Sequence, residues 1–425
     1  MKIIVFGLWH LGCVTAACTA RHFDVVGLDP DEDNINSLQR GAAPLFEPGL
    51  DDLIHNGLQT GRLRFTTDAV SACRDAEILW VTFDAPVDDN DETDVESVLH
   101  HVRRCVPLLP HGALVLLSSQ LPVGTCRQLE SEFGAIGYHF ACSPENLRLG
   151  KALSIFENAE RIIVGCRELH SRRKLEDLLG RFTKQIIWMG SESAEMTKHA
   201  INSFLALSIT FMNEVARICE ATGADAKEVE CGLKSESRIG PKAYLSPGGA
   251  FAGGTLARDV VAVTKLAQVA GEILEVIPAI KRSNDRHRLW ALQKLQKLFV
   301  GETNCRVALL GLTYKPRTNT LRRSLAVELA RALAEIGFEV RACDPSQPTL
   351  PADLDFIQFK TAIVEAINGV DAVVVCTEWP EFRNLDWHAL VDGMRRAIVI
   401  DATRFLENNV TGISGLCYLT VGSRP

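Results

Sequence analysis

Lys2-Ile3-Ile4-Val5-Phe6-Gly7-Leu8-Trp9-His10-Leu11-Gly12, followed by Phe23-Asp24-Val25-Val26-Gly27-Leu28-Asp29-Pro30, is the stretch that decides the fold. Ile3 to Phe6 is an unbroken apolar run ended by a glycine, the pattern of a parallel strand buried on both faces. Gly7 and Gly12 bracket a turn, and the small residues from Cys13 to Ala20 read as a helix packed close to a sheet. A second strand over Phe23–Leu28 ends at Asp29, about 20 positions beyond Gly7, where a dinucleotide's ribose finds its carboxylate. Strand, turn, helix and strand make a βαβ unit. Further strands are expected at Ala76–Phe83, Ala113–Ser118, Tyr138–Cys142 and Arg161–Val164, alternating with helical stretches. That alternation predicts an α/β fold with a doubly wound sheet.

The same pattern returns late in the chain. Arg306–Leu310 runs into Gly311, a helix is expected near Leu325–Ile336, and Phe338–Cys343 ends at Asp344-Pro345, the counterpart of Asp29-Pro30. Strands at Ala372–Cys376 and Ala397–Ile400 complete a second Rossmann-like sheet. Between the two, Ile201, Phe204, Leu205, Ile209, Phe211 and Met212 recur at helical spacing, which reads as a long amphipathic helix. Helices are also expected near Asp259 and Ile277. The division is therefore 1–190, a dinucleotide-binding domain; 191–297, a helical domain; and 298–425, a second Rossmann-like domain. Long central helices that join two lobes bury their remaining apolar face against a second subunit, so a homodimer is expected. After Leu406 the reading is an exposed tail with a short strand at Leu416–Val421.

At 425 residues the chain is too long for one ordinary core. Hydrophobic residues at 47% and charged residues at 23% give the balance of a globular protein. A net charge of −8 argues against nucleic acid as a partner. No apolar run reaches the ~18–20 residues of a membrane helix, and the N-terminus lacks the pattern of a secretory signal. A cytoplasmic protein without membrane contact is expected. The 13 cysteines are scattered, with no Cys-x-x-Cys pair and no zinc-like spacing, so they read as reduced thiols and no metal is expected.

Several short motifs then coincide in order: Glu47-Pro48-Gly49-Leu50, Pro122-Val123-Gly124-Thr125, Pro144-Glu145-Asn146-Leu147-Arg148, Glu195-Met196-Thr197-Lys198 with Asn202, Asn213-Glu214, Ser237-Arg238-Ile239-Gly240, Gly311-Leu312-Thr313-Tyr314-Lys315-Pro316 with Arg322, and Thr377-Glu378-Trp379. Taken together, from Met1 to about Phe405, they resemble the UDP-glucose/GDP-mannose dehydrogenase family. The resemblance implies oxidation of a nucleotide sugar from alcohol to carboxylate with NAD⁺. The first lobe would hold NAD, the last lobe the nucleotide, and a cysteine would capture the intermediate aldehyde.

Lys198 and Asn202 stand four apart and so share a helix face; that face is either solvated or functional. The resemblance assigns both to the oxyanion or water at the sugar's reacting carbon, a task that suits an ammonium and an amide. It makes Glu145 a general acid/base or water positioner, where the bland alternative is a helix cap. Asp259 orders the hydrolytic water or is simply an N-cap for the helix from Val260. Leu147, Arg238, Phe251, Gly253 and Lys315 are expected along the substrate. Gly7, Trp9, His10, Leu11, Gly12, Asp29, Ala85, Gln120 and Arg322 are expected along the cofactor.

The departures from the family pattern fall where chemistry is expected. Its nucleophile segment is matched by Ala250-Phe251-Ala252-Gly253-Gly254-Thr255-Leu256-Ala257-Arg258-Asp259, so Thr255 stands in place of the thiol. A hydroxyl is a poor nucleophile without an adjacent base. Trp9 replaces the fingerprint's second glycine, which lets the backbone approach the pyrophosphate. Ala85-Pro86 replaces a Thr-Pro pair, and Asn319 and Thr320 replace paired acids. Three readings follow: a nucleotide-sugar dehydrogenase altered in its second oxidation step, a two-electron alcohol/ketone oxidoreductase on another glycosyl substrate, or a non-catalytic nucleotide-sugar binder.

Overall fold

The computed structural model describes residues 1–425 apart from Val87, Asp89, Asn90, Glu92, Asn146, Gly253, Arg424 and Pro425. The chain divides into two compact units, Met1–Ile201 and Asn202–Pro425.

The first unit is built on eight strands: β1 (Lys2–Phe6), β2 (Asp24–Leu28), β3 (Leu63–Thr66), β4 (Ile78–Val81), β5 (Leu114–Leu117), β6 (His139–Cys142), β7 (Ile162–Gly165) and β8 (Ile186–Met189). Their order in the sheet is β3-β2-β1-β4-β5-β6-β7-β8, with every pairing parallel except β6 against β7. Successive residues of β1 face opposite layers: Ile3 and Val5 enter one core, Ile4 and Phe6 the other. Helices His10–Ala20, Leu50–Gln59 and Ala152–Glu157 contribute to the first layer, and Ala69–Cys73, Val95–Cys105 and Thr125–Phe133 to the second. The strand order reverses between β1 and β4, so the crevice beyond their C-terminal ends is where such a sheet takes its ligand. The short strands β3 and β8 were not anticipated from the sequence.

Helix Ser191–Thr222 runs across the boundary at Ile201. The second unit continues with helices Ala226–Ser235, Leu256–Ala270, Val276–Arg288 and Trp290–Leu298. Its sheet comprises β9 (Arg306–Leu310), β10 (Glu339–Cys343), β11 (Gln358–Phe359), β12 (Ala372–Val375), β13 (Ile398–Asp401) and β14 (Cys417–Leu419), in the order β11-β10-β9-β12-β13-β14, all parallel. The expected internal likeness extends to register. β1 pairs with β2 from Lys2↔Asp24 to Phe6↔Leu28, and β9 with β10 from Arg306↔Glu339 to Leu310↔Cys343.

The exposed tail expected after Leu406 is a correction. Glu407–Val410 is helical, β14 extends the sheet, and Val421 is buried. The Gly422 carbonyl accepts the Ala226 N–H at 2.9 Å, and Glu220 accepts the Gly422 N–H at 3.0 Å. Among the described residues no helix is long and apolar enough to cross a membrane.

Candidate active site

In the first unit the turn after β1 is shaped by two glycines. Gly7 has φ +97°, open to glycine at no steric cost, and a Cβ on Gly12 would stand 1.8 Å from the Gly7 carbonyl oxygen. Helix His10–Ala20 therefore starts hard against the strand. Its N-cap, Trp9, makes no side-chain cap, so that end of the helix offers backbone N–H groups and the positive pole of its dipole to an anion. Asp29, at the end of β2, accepts the Leu8 N–H at 2.6 Å on one oxygen and the Asp31 N–H at 3.0 Å on the other. A carboxylate has lone pairs beyond these for ribose hydroxyls. These residues fit a dinucleotide. Trp9 is 48% exposed.

The His10 backbone begins that helix, while its side chain turns to Glu47. Its Nε2 is 2.9 Å from the buried Glu47 carboxylate, which also accepts the N–H groups of Gly150 (2.7 Å) and Ala152 (2.8 Å). Glu47, from the Glu-Pro-Gly motif, thus caps the start of helix Ala152–Glu157 from a distant part of the chain. Glu195 does the same for helix Thr125–Phe133, accepting from Gly124 (2.6 Å) and Cys126 (2.9 Å); burial pushes its carboxyl above the usual carboxylate range. Leu11 is partly buried and Ala85 fully so. Gln120, Glu195 and Lys198 line a small cavity of about 20 Å³. The Lys198 ammonium donates to the Glu145 carbonyl at 2.6 Å, while the Glu145 carboxylate accepts the Leu147 N–H. Glu145, Leu147 and Lys198, expected separately, therefore meet.

The second unit holds a cavity of about 830 Å³. Of the residues assigned to substrate or catalysis, Phe251, Thr255 and Lys315 line it; Lys234, Tyr244, Tyr314 and Glu378 line it without having been given a role. Tyr314 lay within a quoted motif, whereas Lys234 carried only its spacing from Glu230, which holds its ammonium at 2.6 Å. Asn202 donates to Asp259 within this unit, and both are buried. Asp259 is not an N-cap: it lies inside helix Leu256–Ala270, whose cap position belongs to Thr255. Thr255 is exposed and makes no side-chain cap there. Cys231, nearest Thr255 in sequence, is exposed and does not line the cavity. Cys376 does line it, but burial pushes its thiol up to about 12, leaving a protonated and weak nucleophile. Arg238 projects into solvent beside Glu236, and Arg322 is exposed; neither lines the cavity. Gly253 lies outside the described residues.

The second sheet repeats the first turn with a different outcome. Gly311 N–H bonds the Cys343 carbonyl as Gly7 N–H bonds that of Leu28, and Asp344 takes the place of Asp29. Asp344 accepts from Leu312 N, Thr313 N, Thr313 Oγ1, Ser346 N, Ser346 Oγ and the Trp379 indole, at 2.7 to 3.3 Å. These donors hold its carboxyl below the usual range against the cost of its burial, which acts in the opposite direction. Its acceptor capacity is consumed by the fold. Among the described residues no group of three or more His, Cys, Asp or Glu side chains could hold a metal ion.

Sequence models of the UDP-glucose/GDP-mannose dehydrogenase family match in order: the NAD binding domain over residues 1–183, the central domain over 192–286 and the UDP binding domain over 308–408. The chain is 31% identical to the UDP-glucose 6-dehydrogenase TuaD of Bacillus subtilis over 432 residues, covering all of this chain and 93% of that one. It is 31% identical to a UDP-glucose 6-dehydrogenase of Pseudomonas aeruginosa over 449 residues, covering 100% and 98%. Among solved structures, a UDP-glucose dehydrogenase from Pyrobaculum islandicum superposes with a TM-score of 0.88 at 28% identity, covering 99% of this chain and 98% of that one.

Proposed function

The chain belongs to the UDP-glucose/GDP-mannose dehydrogenase family, and from that premise we propose that it oxidises a CH–OH group of UDP-glucose or a closely related nucleotide sugar, with a second oxidation step altered by Thr255. It is an NAD-dependent nucleotide-sugar dehydrogenase, and its NAD binding domain is the first of the family's three. The observation that carries the finer reading is the large cavity of the second unit, onto which Thr255 and Lys315 both open.

NAD⁺, when bound, supplies the hydride acceptor. Gly7, Gly12 and the uncapped first turn after Trp9 would seat its pyrophosphate, and Asp29 its ribose. Ala85, Gln120 and Arg322 are assigned to its remaining contacts. Phe251, Gly253 and Lys315 are assigned to the sugar nucleotide, with Lys315 facing phosphate; Leu147 and Arg238 are also given to the substrate. Lys198 and Asn202, one turn apart on one helix, are given the developing oxyanion. Asp259 fixes the Asn202 amide by accepting its N–H. Glu145 is given the proton transfers.

Thr255 cannot form the covalent sulfur adduct of the family scheme, so an aldehyde must be released or attacked by water directly. We also assign residues 1–190 to cofactor binding, 191–297 to the substrate site and dimerisation, and 298–425 to nucleotide-sugar binding. Incubation with UDP-glucose and NAD⁺ is expected to give about one NADH per sugar where the aldehyde is released and about two, with no covalent intermediate, where water attacks it directly; Thr255→Cys is expected to give about two with trapping of a thioester. Absence of NADH with every nucleotide sugar, together with no thermal shift by NAD⁺, sinks the reading. A ratio of about two with a covalent acyl intermediate trapped in the unaltered protein overturns only the altered second step.

A further inference from the structure

Gly248–Phe251 forms one wall of the second unit's cavity, and its residues have no polar side chain of their own. Three buried side chains from two helices satisfy its backbone. Asn213 accepts the Gly248 N–H at 3.0 Å and donates to the Gly249 carbonyl at 3.2 Å. Asn284 accepts the Phe251 N–H at 3.0 Å and donates to the Phe251 carbonyl at 2.8 Å. One turn along the same helix, His287 has Nε2 2.8 Å from the Gly248 carbonyl and Nδ1 3.1 Å from the Arg217 guanidinium.

These partners settle the state of the ring. A carbonyl only accepts and a guanidinium only donates, so Nε2 carries the hydrogen and Nδ1 the lone pair. Only the neutral imidazole satisfies both. A second proton on Nδ1 would remove the acceptor and set a cation against Arg217 at low dielectric.

We infer that His287 is the pH-sensitive member of a polar clamp that sets the Gly248–Phe251 wall, and is thereby a positioning residue for the cavity's ligand. Its consequence for turnover rests on the reading of this cavity as the nucleotide-sugar seat. The charged groups that face the ring are Arg217 and Glu220 of the long helix. Arg217 is paired in turn with Glu214 at 3.7 Å and Glu220 with Lys294 at 2.6 Å. Asp285 and Arg288 flank it on its own helix, and Gly248–Phe251 brings no titratable group. Burial first, and then Arg217, hold the clamped ring below the ordinary 6.5, with the Gly248 bond and Glu220 opposing. A released ring titrates near its ordinary value, so opening takes up a proton below it. The clamp is intact at neutral pH and weakens as pH falls below the ordinary value, by at most about ten-fold per pH unit.

The test is hydrogen exchange at the Gly248 and Phe251 amides of the full ligand-free chain, compared with His287→Gln and His287→Ala. The glutamine amide offers the same donor and acceptor but does not titrate. Between about pH 7.5 and about pH 5.5, protection in the unaltered protein is expected to fall, by up to about ten-fold, relative to His287→Gln. His287→Ala is expected to lose protection at both pH values. The KM for UDP-glucose is expected to rise over the same window in the unaltered protein alone, with kcat moving less. Parallel exchange profiles in the unaltered and glutamine proteins overturn the inference. Should the variants fail to fold, ring NMR of the unaltered protein decides, because a charged His287 at or above its ordinary pKa equally overturns it. Should UDP-glucose never turn over, the substrate reading falls while the exchange data still decide the clamp.

Discussion

Gly12 has no space for a side chain, whereas Trp9, three residues earlier, is about half exposed. The first glycine pair is required by the approach of the helix to the strand; Trp9, with φ −86°, occupies ordinary backbone. Its cost is therefore steric hindrance to a ligand rather than strain in the fold. Trp9→Gly is expected to tighten NAD⁺ binding by about three- to ten-fold while changing stability by less than about 1 kcal/mol. Calorimetric titration checks this, and an unchanged Kd would place the indole outside the pyrophosphate's path. Asp29 and Asp344 make the complementary point. The two carboxylates stand at matching strand ends, but one keeps capacity for a ligand and the other has spent it on six protein donors.

At the scale of elements, two helices of the first unit are started by glutamates far away in sequence. Glu47 serves Ala152–Glu157 and Glu195 serves Thr125–Phe133. A buried carboxylate accepting several N–H groups is worth more than a solvated cap, and its loss leaves those donors without partners. Glu47→Ala is expected to destabilise the chain by about 3 kcal/mol, read from the midpoint of urea unfolding. A loss of less than about 1 kcal/mol would mean that water replaces the carboxylate at no cost. The motif that carries Glu47 pointed to the family, but nothing in its spacing pointed to the helix it caps. Of the edge strands, β14 was legible and β3, β8 and β11 were not; β11 has only two residues and is defined by its neighbour β10.

For the whole molecule, Phe204, Phe211 and Ile218 are exposed at seven-residue intervals along one helix, and Val269, Ile273 and Val276 form a second exposed apolar group. Seven-residue spacing keeps side chains on one stripe, the geometry of a helix seam. This supports the proposal that two copies associate along this helix. Phe211→Glu is expected to prevent that association, with sedimentation velocity showing the change; a variant of unchanged mass would exclude this stripe from the interface. The two sheets were legible because β1, β2, β9 and β12 are apolar runs bounded by glycine or acid, a signal written in consecutive residues. Lys198 and Asn202 on one helix face were legible for the same reason, since helical period is local. The burial of the Asn202–Asp259 pair, the meeting of Glu145 with Lys198, and the exposure of Arg238 and Arg322 were decided by tertiary structure alone. Local sequence determines which strands and helices can form, through periodicity and backbone sterics. Which side chains meet, and which face solvent, depends on contacts between residues tens of positions apart, and these exist only once the chain has closed on itself.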